Sequence, residues 1–184
     1  MDESDRDGQR GREKLLAKLG LEDKISLLTG ADYWLLHGHP GIGYRHFDRA
    51  GREPRYSFGH GLGFTPWEYL AAEVMTPPPA GGAGAEAVIR AQLRNAGTRY
   101  GCETVQVYAS RPDSAVERPV RWLAGFAKAE APPGTEVIAD IVVPHRRLAH
   151  WDIAVGTWAI EPGDFHLHIG RSSRDVPLSV TVRC

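Results

Sequence analysis

Downstream of residue 67 the chain is written in short runs where apolar and polar side chains take turns. Ala87, Ile89, Ala91 and Leu93 alternate with Glu86, Arg90, Gln92 and Arg94, and Val137, Ala139, Ile141 and Val143 share one face of the run 136–143. A period of two residues is that of a strand with one buried face. The same reading predicts strands over 68–75, 104–109, 121–129, 151–155, 157–160, 164–169 and 178–182. Between them lie turn residues such as Pro132, Pro133 and Gly134, and the proline- and glycine-rich stretch 76–85. Strands every 10 to 15 residues with such punctuation predict an all-β, antiparallel β-sandwich.

The first 42 residues follow another pattern. Residues 1–11 are charged with no apolar period, which predicts a mobile tail. Over 12–42, Leu15, Leu16 and Leu19 recur at helical spacing up to Gly20, and Ile25, Leu27 and Leu28 precede Gly30, predicting a short helical arm. The expected layout is therefore tail 1–11, arm 12–42, and a junction segment plus sandwich over 43–184. Leu15, Leu16, Leu19, Ile25, Leu27, Leu28 and Trp34 form a stripe expected to dock on the sandwich.

At 184 residues the chain can bury one good core, with 42% apolar and 24% charged side chains, and its 21 Gly and 13 Pro suit a turn-rich β fold. A formal net charge of -1 offers no case for nucleic acid or an anionic membrane as partner. The N-terminus lacks the apolar region of a secretory signal and no run is long enough to span a membrane, so a cytoplasmic location is expected. Cys102 and Cys184 are read as thiols, Cys102 as buried or inert, although counting alone leaves one bridge open.

The stretch GYRHFDRAGREPRYSFGHGLGFTPWEY, Gly43 to Tyr69, resembles the segment of family 3 glycoside hydrolases where the chain leaves the second catalytic domain and enters a C-terminal fibronectin type III-like sandwich. Tyr44, Arg45, Phe47, Asp48, Pro54, Phe58, Gly59, His60, Gly61, Leu62, Phe64 and Thr65 match that pattern, and Gly63 stands where serine is usual. LGLEDKISLLTGADYW is similar to the opening of the same enzymes, and the Trp151–Asp152 pair and the Glu161–Gly163 turn match their sandwich. Similarity covers about residues 14–37 and 41–183. It implies a fibronectin type III-like, immunoglobulin-like fold, and an internal deletion that removed both catalytic domains.

Retaining glycoside hydrolysis needs two carboxyl groups about 5 Å apart on a rigid frame. The resemblance places the family's pair in the missing domains, so no glycosidase activity is expected. The glycines at 59, 61 and 63 lack the strand and helix of a dinucleotide site and read as a turn. His166 and His168, two apart on one strand, lack a third ligand and read as solvent-facing. No cofactor and no metal are expected.

The densest polar cluster, His37, His39, Tyr44, Arg45, His46, Asp48 and His60, falls at the junction. Histidine can serve as general acid or base near neutral pH, with Asp48 or Tyr44 to orient it. Tyr44, Arg45, Asp48 and His60 match positions that shape the junction in the family, whereas His37, His39 and His46 are freer to carry chemistry. Three readings stay open: a binding or accessory module for a protein or small molecule, a repurposed acid/base enzyme of isomerase, cyclase or lyase type, and a decayed gene product. A homodimer is expected, because apolar surface around Phe47, Tyr56, Phe58, Phe64 and Trp67 would lose its cover with the missing domains.

Overall fold

The computed structural model describes residues 43–76 and 86–184. The expected tail and arm, with His37 and His39, and residues 77–85 lie outside the described residues.

Among the described residues, nine strands follow one short α-helix, α1 (Tyr44–Arg49): β1 (Trp67–Thr76), β2 (Glu86–Asn95), β3 (Gly101–Ser110), β4 (Trp122–Ala131), β5 (Glu136–Pro144), β6 (His150–Asp152), β7 (Thr157–Ala159), β8 (Asp164–Gly170) and β9 (Leu178–Arg183). They form a three-stranded sheet in the order β1-β2-β5, a four-stranded sheet β4-β3-β8-β9 and the hairpin β6-β7. Every pairing is antiparallel. This is the expected β-sandwich.

Alternation builds the core. Ala87, Ile89, Ala91 and Leu93 of β2 are fully buried, as are Ile141 and Val143 of β5. The opposing sheet contributes Val105, Val107 and Ala109 of β3 with Phe165, Leu167 and Ile169 of β8, and the ring of Trp122 meets that of Phe165 edge-on at 6.5 Å. Burial of this many large side chains, each contributing about 1.5–3 kcal/mol, is the main stabilising force.

A polar corner fixes where β1 begins. Asn95 is wholly buried, and its amide donates to the carbonyls of Arg99 and Ala131, both at 2.8 Å. Its Oδ1 accepts from the Thr65 hydroxyl at 2.6 Å and the Gly97 N–H at 3.0 Å. With every one of its hydrogen-bonding groups partnered, a side chain costly to bury becomes a staple.

The structure departs from the pattern reading in three places. The strand expected over 151–155 stops at Asp152, whose carboxylate accepts from the N–H groups of Ala154 (2.9 Å) and Val155 (3.4 Å), and Gly156 closes the turn with a φ of 68°. Such an Asx turn folds the run into the β6-β7 hairpin. The junction, read without an element, carries α1. On β3, Gln106, Tyr108 and Ser110 point away from the core yet are buried, so that β3 is covered on both faces from Val105 to Ser110.

Candidate functional site

The cover on that second face is the junction itself. Tyr44 opens α1, stacks on Phe58 with ring centroids 4.5 Å apart and meets the Tyr108 ring edge-on at 6.2 Å. Its hydroxyl accepts from the Leu123 N–H at 2.9 Å. One turn later, Asp48 Oδ1 accepts from Nε (3.2 Å) and Nη2 (3.1 Å) of Arg174 in the β8-β9 loop, and Arg174 also donates to the Arg52 carbonyl at 2.7 Å. A helix of six residues is too short to stand alone, so these tertiary contacts hold it.

The segment after α1 is fastened to β3 through Gln106. Its amide donates to the Gly59 carbonyl at 3.1 Å and to the Arg171 carbonyl, while its Oε1 accepts from the Tyr108 hydroxyl at 2.6 Å. Gly59 has a φ of 81°, and a Cβ there would stand 2.0 Å from Gln106 Oε1. Only glycine fits, for both reasons. The Ser57 hydroxyl bonds that of Ser172 at 3.0 Å, and the Ser173 N–H donates to the Phe58 carbonyl at 2.8 Å.

Beside this clamp, Ser110 Oγ and His168 Nε2 are 2.8 Å apart. His168 is half-buried where the alternation reading made it solvent-facing, whereas His166 is exposed as expected. Burial pushes the His168 imidazole below its ordinary pKa, and the nearby Arg121 and His166 push the same way. Burial likewise raises the Tyr108 hydroxyl, with Tyr44 adding to it. Asp48 Oδ2 and Arg121 Nε are both buried without a hydrogen-bond partner.

A second polar knot gathers on Glu161. The carboxylate accepts from the Ser114 hydroxyl (2.7 Å), the Ala115 N–H (2.8 Å) and Arg118 Nε (2.9 Å). Burial alone would raise its pKa, but these hydrogen bonds and the Arg118 charge outweigh it and hold the carboxyl down at about 2. Arg111 donates to the Glu161 (2.9 Å) and Pro162 (2.7 Å) carbonyls and lies 4.7 Å over the Phe165 ring. Sequence reading took Glu161 only as part of a turn. Its ion pair was hidden because Arg118 is 43 residues away.

Of the candidates named from sequence, Tyr44 and Asp48 lie together on α1, turned toward the sandwich. His46 is exposed on the same helix, with its ring 5.9 Å from that of Phe47. His60 is exposed too and stacks on Tyr56 at 5.3 Å. Among the described residues no hydrogen bond joins His46 or His60 to Asp48 or Tyr44. Cys102 is exposed rather than buried, because its strand position faces water, and both cysteines are free thiols.

At least two hollows open on the described surface. One of about 320 Å³ lies on the outer face of the three-stranded sheet, lined by Ala71, Ala72, Glu73, Arg90, Gln92 and Ile138. Two of its polar groups are already engaged, Arg90 with Asp140 at 2.8 and 2.9 Å and Gln92 with Glu136 at 2.7 Å. The other, about 170 Å³, sits between the β4 and β5 edges. No group of three His, Cys, Asp or Glu side chains among the described residues is placed to hold a metal ion. No described helix is long and apolar enough to cross a membrane.

Two packed antiparallel sheets and their clamped leading segment define a fibronectin type III-like domain, and that family matches residues 103–173. The chain is 36% identical over 151 residues to a probable β-glucosidase L of Emericella nidulans, which covers 75% of this chain and 20% of that protein. Thermostable β-glucosidase B of Acetivibrio thermocellus is 35% identical over 142 residues, covering 77% of this chain and 18% of that one. The crystal structure of the β-D-glucoside glucohydrolase of Trichoderma reesei superposes with a TM-score of 0.70 at 34% identity, over 78% of this chain and 22% of that one. The chain thus belongs with the family 3 glycoside hydrolases of the β-glucosidase type, as their C-terminal portion. It spans about a fifth of the length of the curated relatives it matches, and their catalytic domains are not within its 184 residues.

Proposed function

We propose that this chain is a non-hydrolytic binding or accessory module, which meets a protein or small molecule through its surface. One observation carries the reading: the inward-facing ionisable groups of the described unit are spent on holding segments together. Asp48 is paired with Arg174, Glu161 with Arg118, and His168 rests on Ser110. An acid/base catalyst needs such a group within reach of a substrate proton, in a concave site. Here each lies beneath or inside a clamp, and the two described hollows are lined by neither His46 nor His60.

The relatives are β-glucosidases by name, so their substrates are the first to test. Purified protein incubated with an aryl β-glucoside is expected to release no aglycone above a no-protein control. Calorimetric titration with glucose and short β-glucans then asks whether the module binds sugar without cleaving it. Turnover that survives repurification, and is abolished by replacing one Asp or Glu of this chain, would overturn the proposal.

A further inference from the structure

The segment between the Gly59 clamp and the Thr65 staple stands out from the sandwich with its apolar side chains in water. Leu62 is 90% and Phe64 95% exposed, and Tyr56 and Phe58 are also open to solvent. Both ends of this tip are fixed, at Gly59 by Gln106 and at Thr65 by Asn95. A surface already held in shape loses little conformational freedom on binding. Leaving such side chains in water is unfavourable by about 25 cal/mol per Å² of apolar area.

We propose that this tip is a self-association surface, and that its occupant is a second copy of the chain packed about a two-fold axis. Tyr56, Phe58, Leu62 and Phe64 leave on the order of 500 Å² exposed, at the upper end of what a monomer ordinarily shows. A two-fold contact sets each patch against its own copy, so these side chains alone would bury about 1,000 Å². With their polar surround the contact reaches the roughly 1,200 Å² of a small specific interface.

Charge favours the tip over the other exposed apolar surface. The nonapeptide from Tyr56 to Phe64, YSFGHGLGF, carries no Asp, Glu, Lys or Arg, so a self-contact there opposes no fixed like charges. Arg55, next to it in sequence, lies 5.9 Å over the Tyr56 ring at the edge of the patch. The other exposed apolar group, Trp151, Ile153, Val155 and Trp158 on the β6-β7 hairpin, has Arg146 lying 4.7 Å over the Trp158 ring and Arg147 beside it in sequence. Self-contact at the hairpin would bring two neighbouring arginines of each copy together, against the single Arg55 at the edge of the tip.

Sedimentation velocity across the micromolar range tests the proposal. The chain is expected at twice its 20.2 kDa mass. Leu62→Asp with Phe64→Asp should return it to a single 20.2 kDa species that keeps the folded circular-dichroism spectrum, since neither side chain packs on the fold. If that variant misfolds, Leu62→Ala with Phe64→Ala serves instead, with a dissociation constant raised by about tenfold or more. Ile153→Asp should leave the dimer intact. A wild-type monomer at every concentration, a dimer that survives both tip variants or is lost in Ile153→Asp, or a monomer that floats with phosphatidylcholine vesicles would each overturn it.

Discussion

Asp48 and Arg174, 126 positions apart in sequence, share two hydrogen bonds through one carboxylate oxygen, at 3.1 and 3.2 Å. The pair ties the only α-helix among the described residues to the β8-β9 loop. Asp48 keeps only 12% of its side-chain surface in water and Arg174 32%, so water weakens the attraction less than at an open surface. Replacing Asp48 by alanine is expected to lower stability by about 1–2 kcal/mol, as for a half-buried charge-assisted pair. Arg174→Ala should cost a similar amount, and the double variant less than the two together, in urea unfolding.

At Gly59 two costs are separable. Gly59→Ala forces a side chain into a left-handed backbone and drives its Cβ against Gln106 Oε1. A loss of about 2–3 kcal/mol is expected, read from the urea midpoint. Adding Gln106→Ala removes the steric conflict but leaves the backbone cost. The double variant should therefore be less unstable than the single effects predict.

Two acidic windows of stability follow from Glu161 and His168. Glu161 is held down at about 2, so its contribution is full above the ordinary range near 4.5 and is lost as pH falls from there through 2. His168 is also depressed. Its neutral form is favoured by the fold, stability is full above about 6.5, and the loss begins as pH falls below that and completes through its lowered value. Thermal midpoints of Glu161→Gln should flatten only the lower window and those of His168→Gln only the upper one.

The two thiols should react at different rates. Cys102 is exposed, whereas Cys184 is half-buried and burial raises its pKa. Since the thiolate is the nucleophile, iodoacetamide at pH 8 is expected to modify Cys102 first, read by intact mass and peptide mapping.

Much of the sandwich was legible along the chain, because a strand with one buried face must alternate, and Ala87 to Leu93 did so at every position but Val88. Where a strand is buried on both faces the code fails. Strict alternation would put Gln106, Tyr108 and Ser110 in water, and what buries them is a segment 50 residues upstream of Tyr108, as the contact of its hydroxyl with the Phe58 carbonyl illustrates. The candidate site suffered likewise. Clustering of His46, Asp48 and His60 in sequence suggested convergence, but a helix and a glycine turn send the two histidines outward while Asp48 turns in.

What the sequence by itself determined is local and periodic: the strands, their turns, the glycine at 59, and a resemblance long enough to name the family. Tertiary structure alone decided the partners of each charge. Glu161 with Arg118, Asp48 with Arg174 and Ser110 with His168 join residues 43, 126 and 58 positions apart. Such pairs depend on which strands become neighbours, and β3 lies beside β8 although β4 to β7 intervene along the chain. No spacing along the chain encodes that adjacency, so the role of each ionisable group emerges with the fold.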